Sequence, residues 1–274
     1  MEGVLRNPTG RRYHSFIMFA QVTDRCVCDL CFNQKKVMQY YSKINTCFKR
    51  VQDPQSPLRD CIIPEEFSQE EFSVLANCKW LATEKIDGTN MSYHFKYVDT
   101  PLGAEDCLEI NGKIPESKIP TPLLEKMQSI LTKDDFYRVF VKDETNLVDV
   151  FIFGEGYGRK IQKCGADYIK NDVGFIVFDI KINGIWLTRE SVEDICKQLN
   201  LNIVPLVGYM SLFEAIEYVA KGFKSAVAEN KDLDAEGLVL TAPLGMLDRR
   251  GNRIITKVKT CDFAKLNAKL KSIK

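Results

Sequence analysis

The stretch of this chain best suited to chemistry is Thr83-Glu84-Lys85-Ile86-Asp87-Gly88-Thr89-Asn90. A lysine at a strand-to-turn junction, beside glycine, leaves room for a phosphate to approach its amine. To act as a nucleophile an amine must first shed its proton. Lys-x-Asp-Gly alone is also an ordinary turn sequence, so the weight falls on the segments further along the chain. Phe151-Ile152-Phe153-Gly154-Glu155-Gly156-Tyr157-Gly158 sets one acid among three glycines at a strand end, where backbone can approach a ligand closely. Glu236-Gly237-Leu238-Val239-Leu240 opens another strand with an acid suited to a metal or its waters. In Arg253–Lys259, alternation puts Lys257 and Lys259 on one face, where two ammoniums can meet one phosphate. Taken singly, Gly-Glu-Gly-Tyr-Gly is more often a loop and Lys-x-Lys more often an exposed strand face. Their order along one chain makes a site of them.

These residues need a scaffold, and the pattern supplies one. Leu81–Glu84 and Met91–Tyr97 read as strands flanking the Asp-Gly turn, and Val148–Phe153 as a strand ending in glycines. Phe175–Ile180 and Ile185–Leu187 bracket Asn183-Gly184, a hairpin signal. Gly237–Thr241 and Arg253–Lys259 are strands joined by a loop with Asp248 and Gly251-Asn252, which returns the chain antiparallel. Helices are predicted over Ser191–Leu199, from a Ser211/Glu214 capping box to Val219, and over Phe263–Ile273. The last carries Phe263, Leu266, Leu270 and Ile273 on one stripe. Strands and helices mix without regular βαβ alternation, so the fold class is α+β with antiparallel sheets. Residues 1–36 read as an extension and 37–274 as one domain.

A hydrophobic content of 45% fills a core in a chain of 274 residues, and no run of 18 apolar residues offers a membrane span. No signal peptide is apparent, because Asp24 and Arg25 closely follow the short apolar run Phe16–Ala20. With ten cysteines this points to free thiols in a reducing, cytoplasmic setting. Cys26, Cys28 and Cys31 form a possible zinc cluster with His14 or Cys47 as fourth ligand, against a reading as ordinary thiols. Net charge is +1, yet Arg249–Lys274 holds nine Lys/Arg and one acid. That tail carries +8 and the rest of the chain −7, which suits a phosphate-rich partner or a solvated helix face.

The order Lys-x-Asp-Gly, Gly-Glu-x-x-Gly, Phe-Asp, Glu-Gly-x-Val, Lys-x-Lys resembles motifs I, III, IIIa, IV and V of covalent nucleotidyltransferases. Asn90 and the Gly154–Gly158 form, followed by Lys160-Ile161-Gln162-Lys163, resemble the RNA ligase branch, similar to phage nick-sealing and RNA-editing ligases. The resemblance covers about residues 38–263. It implies an ATP-dependent RNA ligase, a monomer that joins RNA 3′-hydroxyl and 5′-phosphate ends through lysyl-AMP and RNA-adenylate. On this resemblance Lys85 attacks the α-phosphate of ATP, Glu84 lies by the adenine and Asn90 by the AMP phosphate. Glu155 holds the ribose hydroxyls, Phe178 stacks on the base, and Glu236 helps place Mg²⁺ or Mn²⁺. Lys257 and Lys259 neutralise the α-phosphate, in keeping with the shared face read above.

Two departures from the family pattern stand out. Where relatives carry an arginine for the RNA phosphate, Glu109-Ile110-Asn111-Gly112-Lys113 offers Lys113, which keeps the charge but loses the bidentate fork. Only 15 residues follow Lys259, which predicts no separate OB domain. Beyond motif V, Lys265 and Lys269 are expected to bind RNA phosphates. The rival readings are an ATP-dependent DNA ligase, a capping guanylyltransferase, and an RNA-end binding protein without turnover.

Overall fold

Alternation along Trp80–Lys85 shows how the sheets are built. Trp80, Ala82 and Glu84 are buried on one side, while Leu81, Thr83 and Lys85 are half-buried on the other. The structure, a computed structural model, describes residues 41–273 apart from 102, 115, 143, 144 and 146. Cys26, Cys28, Cys31 and His14, and with them the expected extension, lie outside the described residues. In chain order, β1 (Asn45–Thr46), β2 (Phe48–Arg50) and β3 (Ile62–Phe67) precede α1 (Glu70–Val74), β4 (Trp80–Lys85), β5 (Thr89–Thr100) and β6 (Gly103–Gly112). Helices α2 (Thr121–Ile130) and α3 (Lys133–Phe140) lead to β7 (Leu147–Gly158), α4 (Gly165–Tyr168), β8 (Val173–Ile182) and β9 (Ile185–Trp186). The chain continues through α5 (Arg189–Gln198), β10 (Leu206–Met210), α6 (Leu212–Lys221), β11 (Gly237–Thr241), β12 (Ile255–Lys259) and α7 (Thr260–Ile273).

Two five-stranded sheets result, ordered β1-β12-β11-β4-β10 and β6-β5-β7-β8-β9. Among the described residues β2 and β3 form a separate two-stranded sheet, and every strand pairing is antiparallel except β1 with β12, so the expected α+β class with antiparallel sheets is what the chain adopts. Helices cover the outer face of each sheet. Met91, Tyr93, Phe95, Val150 and Ile152 pack against Leu123, Met127 and Phe136 of α2 and α3. Phe95 stacks on Phe136 with ring centroids 5.0 Å apart, and burying each ring contributes about 2–3 kcal/mol. On the other sheet Ala82, Leu238, Leu240 and Val258 pack against Leu212, Ala215 and Val219 of α6. The inner faces of the two sheets line one cleft of about 920 Å³.

Local signals are realised as the chemistry dictates. Ser211 and Glu214 close a reciprocal capping box at α6, of the kind typically worth about 1 kcal/mol. Asn183 and Gly184 both take positive φ, 48° and 84°, the conformation that a two-residue hairpin needs. Helix α7 starts at Thr260, earlier than its apolar stripe suggests, and buries only half of it. Phe263 and Leu266 pack on the core, whereas Leu270 and Ile273 are exposed. Cys47 is buried beside Thr256, and burial pushes its thiol up to about 12. Among the described residues no helix is long and apolar enough to cross a membrane.

Candidate active site

Register brings the predicted lysines together. Gly237 on the central strand pairs with Lys85 on one side and Lys259 on the other. Two residues along, Val239 pairs with Thr83 and Lys257, so Lys85, Lys257 and Lys259 share the inner face. Gly237 has φ 149°, and a Cβ there would lie 2.0 Å from the Val258 carbonyl oxygen; only glycine fits between the two lysine strands. The preceding residue, Glu236, bridges them. Lys85 Nζ donates to one carboxylate oxygen at 2.6 Å, and Lys259 Nζ lies 2.6 Å from the other. Burial alone would lower Lys259, but the bond to Glu236 raises it above its ordinary value. Lys257 is lowered by burial first and then by Lys259 and Lys85.

The turn after Lys85 is held against the second sheet. A Cβ on Gly88 would meet the Gly156 carbonyl oxygen at 2.3 Å, so the close approach needs glycine. The Asp87 amide donates to the Tyr168 hydroxyl at 3.3 Å. Burial raises Asp87, and Glu236 raises it further. Asn90 and Glu155 are register partners on β5 and β7, and both line the cleft. Burial pushes the Glu155 carboxyl up to about 7, with Lys85 opposing and Glu236 and Asp87 adding to it. Lys113, just past β6, also lines the cleft.

A β-bulge aims the aromatic wall. Phe153 pairs with Asp179 and Gly154 with Val177, so Phe178 is the extra residue. Val177 and Ile180 then both reach the outer core, and Phe178 and Asp179 both line the cleft. Phe178 meets Tyr41 edge-on at 4.9 Å. Arg253 grips Asp179 with two bonds of 2.9 and 2.6 Å, donates to the Tyr41 hydroxyl at 2.7 Å, and lies 3.9 Å over the Trp186 ring. This buried clasp ties the β12 end of one sheet to β8 and β9 of the other. Tyr41, Trp186 and Arg253 carried no functional signal in the sequence.

Three expected site residues have side chains turned away from the inner face that carries Lys85. Glu84 borders the cleft, but alternation turns its carboxylate to the face opposite Lys85, where it accepts from the Ser225 hydroxyl and the Ala226 amide. The same period-two rule that paired Lys257 with Lys259 forecasts this for Glu84. Lys265 and Lys269 belong to a helix packed on the outer face of the Lys85 sheet, away from the cleft. Their ammoniums reach the carbonyls of Asp60 at 3.5 Å and Arg59 at 2.8 Å. They cap the loop between β2 and β3.

A family model described as RNA ligase matches residues 79–259. Among solved structures, a lysine-to-alanine variant of the Naegleria gruberi RNA ligase with ATP and manganese is 17% identical, with a TM-score of 0.52 over 84% of this chain and 60% of that one. The same ligase with pyrophosphate is 19% identical over 86% of this chain and 60% of that one, with a TM-score of 0.48. The first likeness supports the fold, and the chain spans about 60% of the length of these matched chains. No match is found among curated proteins.

Proposed function

Because this chain belongs to the RNA ligase family, we propose that it uses ATP to join an RNA 3′-hydroxyl to an RNA 5′-phosphate. The observation that carries the reading is the row Lys85–Glu236–Lys259, with Lys257 on the same face of one cleft. Lys85 Nζ attacks the α-phosphorus, its proton passing to Glu236, the carboxylate already bonded to it. A P–N bond forms and the P–O bond to pyrophosphate breaks. Lys257 and Lys259 stabilise charge on the phosphoryl oxygens, the electrostatic role that usually dominates such transfers. A 5′-phosphate oxygen of RNA then takes the AMP from Lys85. Finally the 3′-hydroxyl attacks that phosphate, AMP leaves and the phosphodiester is complete.

Among the described residues no three metal-ligating side chains gather in one place. The chain offers Glu236 and Asp87, hard oxygen donors that suit Mg²⁺ or Mn²⁺, ions that keep water and phosphate oxygens in their shells. Such an ion, when bound, neutralises charge on the triphosphate. Asn90 and Glu155 serve the AMP phosphate and the ribose. The thiols of the described cysteines are all free, which supports a cytoplasmic setting. Residues 37–274 are assigned to the nucleotidyltransferase domain and 1–36 to an extension.

Sealing of 5′-phosphorylated RNA strands with ATP and Mg²⁺ tests the reading, with DNA strands alongside. Failure on RNA, or equal sealing of DNA, would overturn it. Lys113 is assigned to the RNA 5′-phosphate, so Lys113→Ala should form lysyl-AMP yet pass AMP to RNA about ten- to a hundredfold more slowly. Transfer at the wild-type rate would move that contact elsewhere.

Phe178 is assigned to the adenine face, whereas Phe175 is buried in the core edge-on to Tyr93. Phe178→Leu should raise the KM for ATP about two- to tenfold with a smaller loss of Tm than Phe175→Leu, since the ring also meets Tyr41. Phe175→Leu should instead lower Tm and leave KM alone. The reverse pattern would reassign the aromatic.

Glu155 adds a pH dependence. Its folded-state value of about 7 lies above the ordinary 4.5, so ionisation is opposed in the folded chain. Stability without nucleotide is therefore lost as pH rises from about 4.5 through about 7. Glu155→Gln should flatten that slope and raise stability at pH 8 by on the order of 2 kcal/mol, roughly 4–8 °C in Tm. A melting profile with the same pH slope in the variant would show that another group sets it.

A further inference from the structure

The segment after Glu155 is folded back tightly. Gly158 has φ 110°, and a Cβ on Gly165 would lie 1.9 Å from the Gly158 carbonyl oxygen. Lys160 takes φ 65°, a left-handed conformation that side-chain-bearing residues rarely adopt. The Arg159 amide donates to the Asp172 carbonyl at 2.9 Å, and Ile161 packs on the core. Gln162 Nε2 donates to the Gly88 carbonyl at 3.1 Å, so the loop is bonded to the turn that carries Lys85.

This rigid loop presents Arg159, Lys160 and Lys163 to solvent. Among the described residues none of these three side chains has an ion-pair or hydrogen-bond partner. Nearby Lys126, by contrast, is paired with Asp172 at 2.6 Å. The three cations are not part of the cleft lining, whereas Gly88, the turn residue to which Gln162 of the same loop donates, is. They therefore lie outside the space a nucleotide would fill, next to its Lys85 end. A polymer of phosphates running out of that end would meet them in succession. A strained, anchored loop of like charges is repelled from within and has no internal counter-ion, which suits a polyanion.

We propose that Arg159, Lys160 and Lys163 hold the phosphodiester backbone of the RNA strand as it leaves the Lys85 end of the cleft. The inference rests on the reading of this chain as an RNA-joining enzyme, and it adds where the strand runs. Gln162 fixes the loop to the Lys85 turn, so strand position and nucleophile position are set together.

The test measures binding of the full chain to a labelled 5′-phosphorylated RNA oligonucleotide across a salt series. Replacing Arg159, Lys160 and Lys163 together by Gln should weaken binding about tenfold to a hundredfold at low salt. The slope of log affinity against log salt should become shallower by about two, because each lost single-strand contact removes roughly 0.7. Lys160→Gly removes one charge while relieving the φ strain, so it folds at least as well and should lower the slope by roughly 0.7. Unchanged affinity and slope in both variants would overturn the proposal. So would a raised KM for ATP in lysyl-AMP formation with RNA affinity intact, which would give these cations to the triphosphate. A wild-type chain that forms no lysyl-AMP would sink the ligase reading itself, whereas a sealing-competent wild type with insensitive variants sinks only this assignment.

Discussion

Lys85→Ala is expected to leave the protein with no bound AMP after incubation with ATP and Mg²⁺. Among the described residues, Lys85 is the one inner-face amine that both stands at the junction of β4 and the Asp87-Gly88 turn and donates to Glu236. Wild type should give an adduct that is labile to acid, as a phosphoramidate is, and intact mass measures both. Lys85→Arg should be equally inert, since a guanidinium does not release its proton near neutral pH. The fold should hold in either variant, because Glu236 keeps its second partner Lys259 and no carboxylate is left stranded. A melting curve within a few degrees of wild type, with the adduct gone, is the expected pair of results. An adduct of undiminished yield in Lys85→Ala would show that Lys85 is not the nucleophile.

Glu236→Gln should have the next largest effect. The amide preserves shape but cannot accept the Lys85 proton, cannot hold a divalent cation well, and leaves Lys85, Lys257 and Lys259 together without their shared counter-charge. Loss of one preorganised electrostatic group in such a transfer costs on the order of 3–4 kcal/mol, or roughly 10²–10³ in rate. Single-turnover formation of lysyl-AMP should fall by that factor, and raising Mg²⁺ or Mn²⁺ should recover little of it. A rate within tenfold of wild type would show that Glu236 is only a resting partner of the two lysines. Comparison with Glu236→Ala separates the causes. If bridging alone matters, Ala should be far worse than Gln; if proton acceptance and cation binding matter, the two should be alike.

Much of the site was legible because it is local. A strand alternates, so Lys257 and Lys259 had to share a face, and Asn183-Gly184 could only be a tight hairpin. The Ser211/Glu214 box marked the start of α6 to the residue, since both partners lie within one helical turn. The grouping of Lys85, Glu155, Glu236 and the two later lysines came from motif order. Period two describes one strand, however, and says nothing of the sheet that faces it. That Glu236 spans Lys85 and Lys259 depends on β11 lying between β4 and β12, a pairing order that no single segment encodes. Tyr41, Asp179 and Arg253 meet across separations of 138, 74 and 212 residues, and one bulged residue in β8 decides that Phe178 and Asp179 both enter the cleft. Lys265 and Lys269 illustrate the other limit. Their charge was plain in the sequence, but Phe263 and Leu266 bury α7 on the outer face, and that packing decides which way the basic residues point. Chemistry and periodicity are properties of the chain; which faces meet is settled by burial of apolar surface between distant segments, and only the tertiary structure records it.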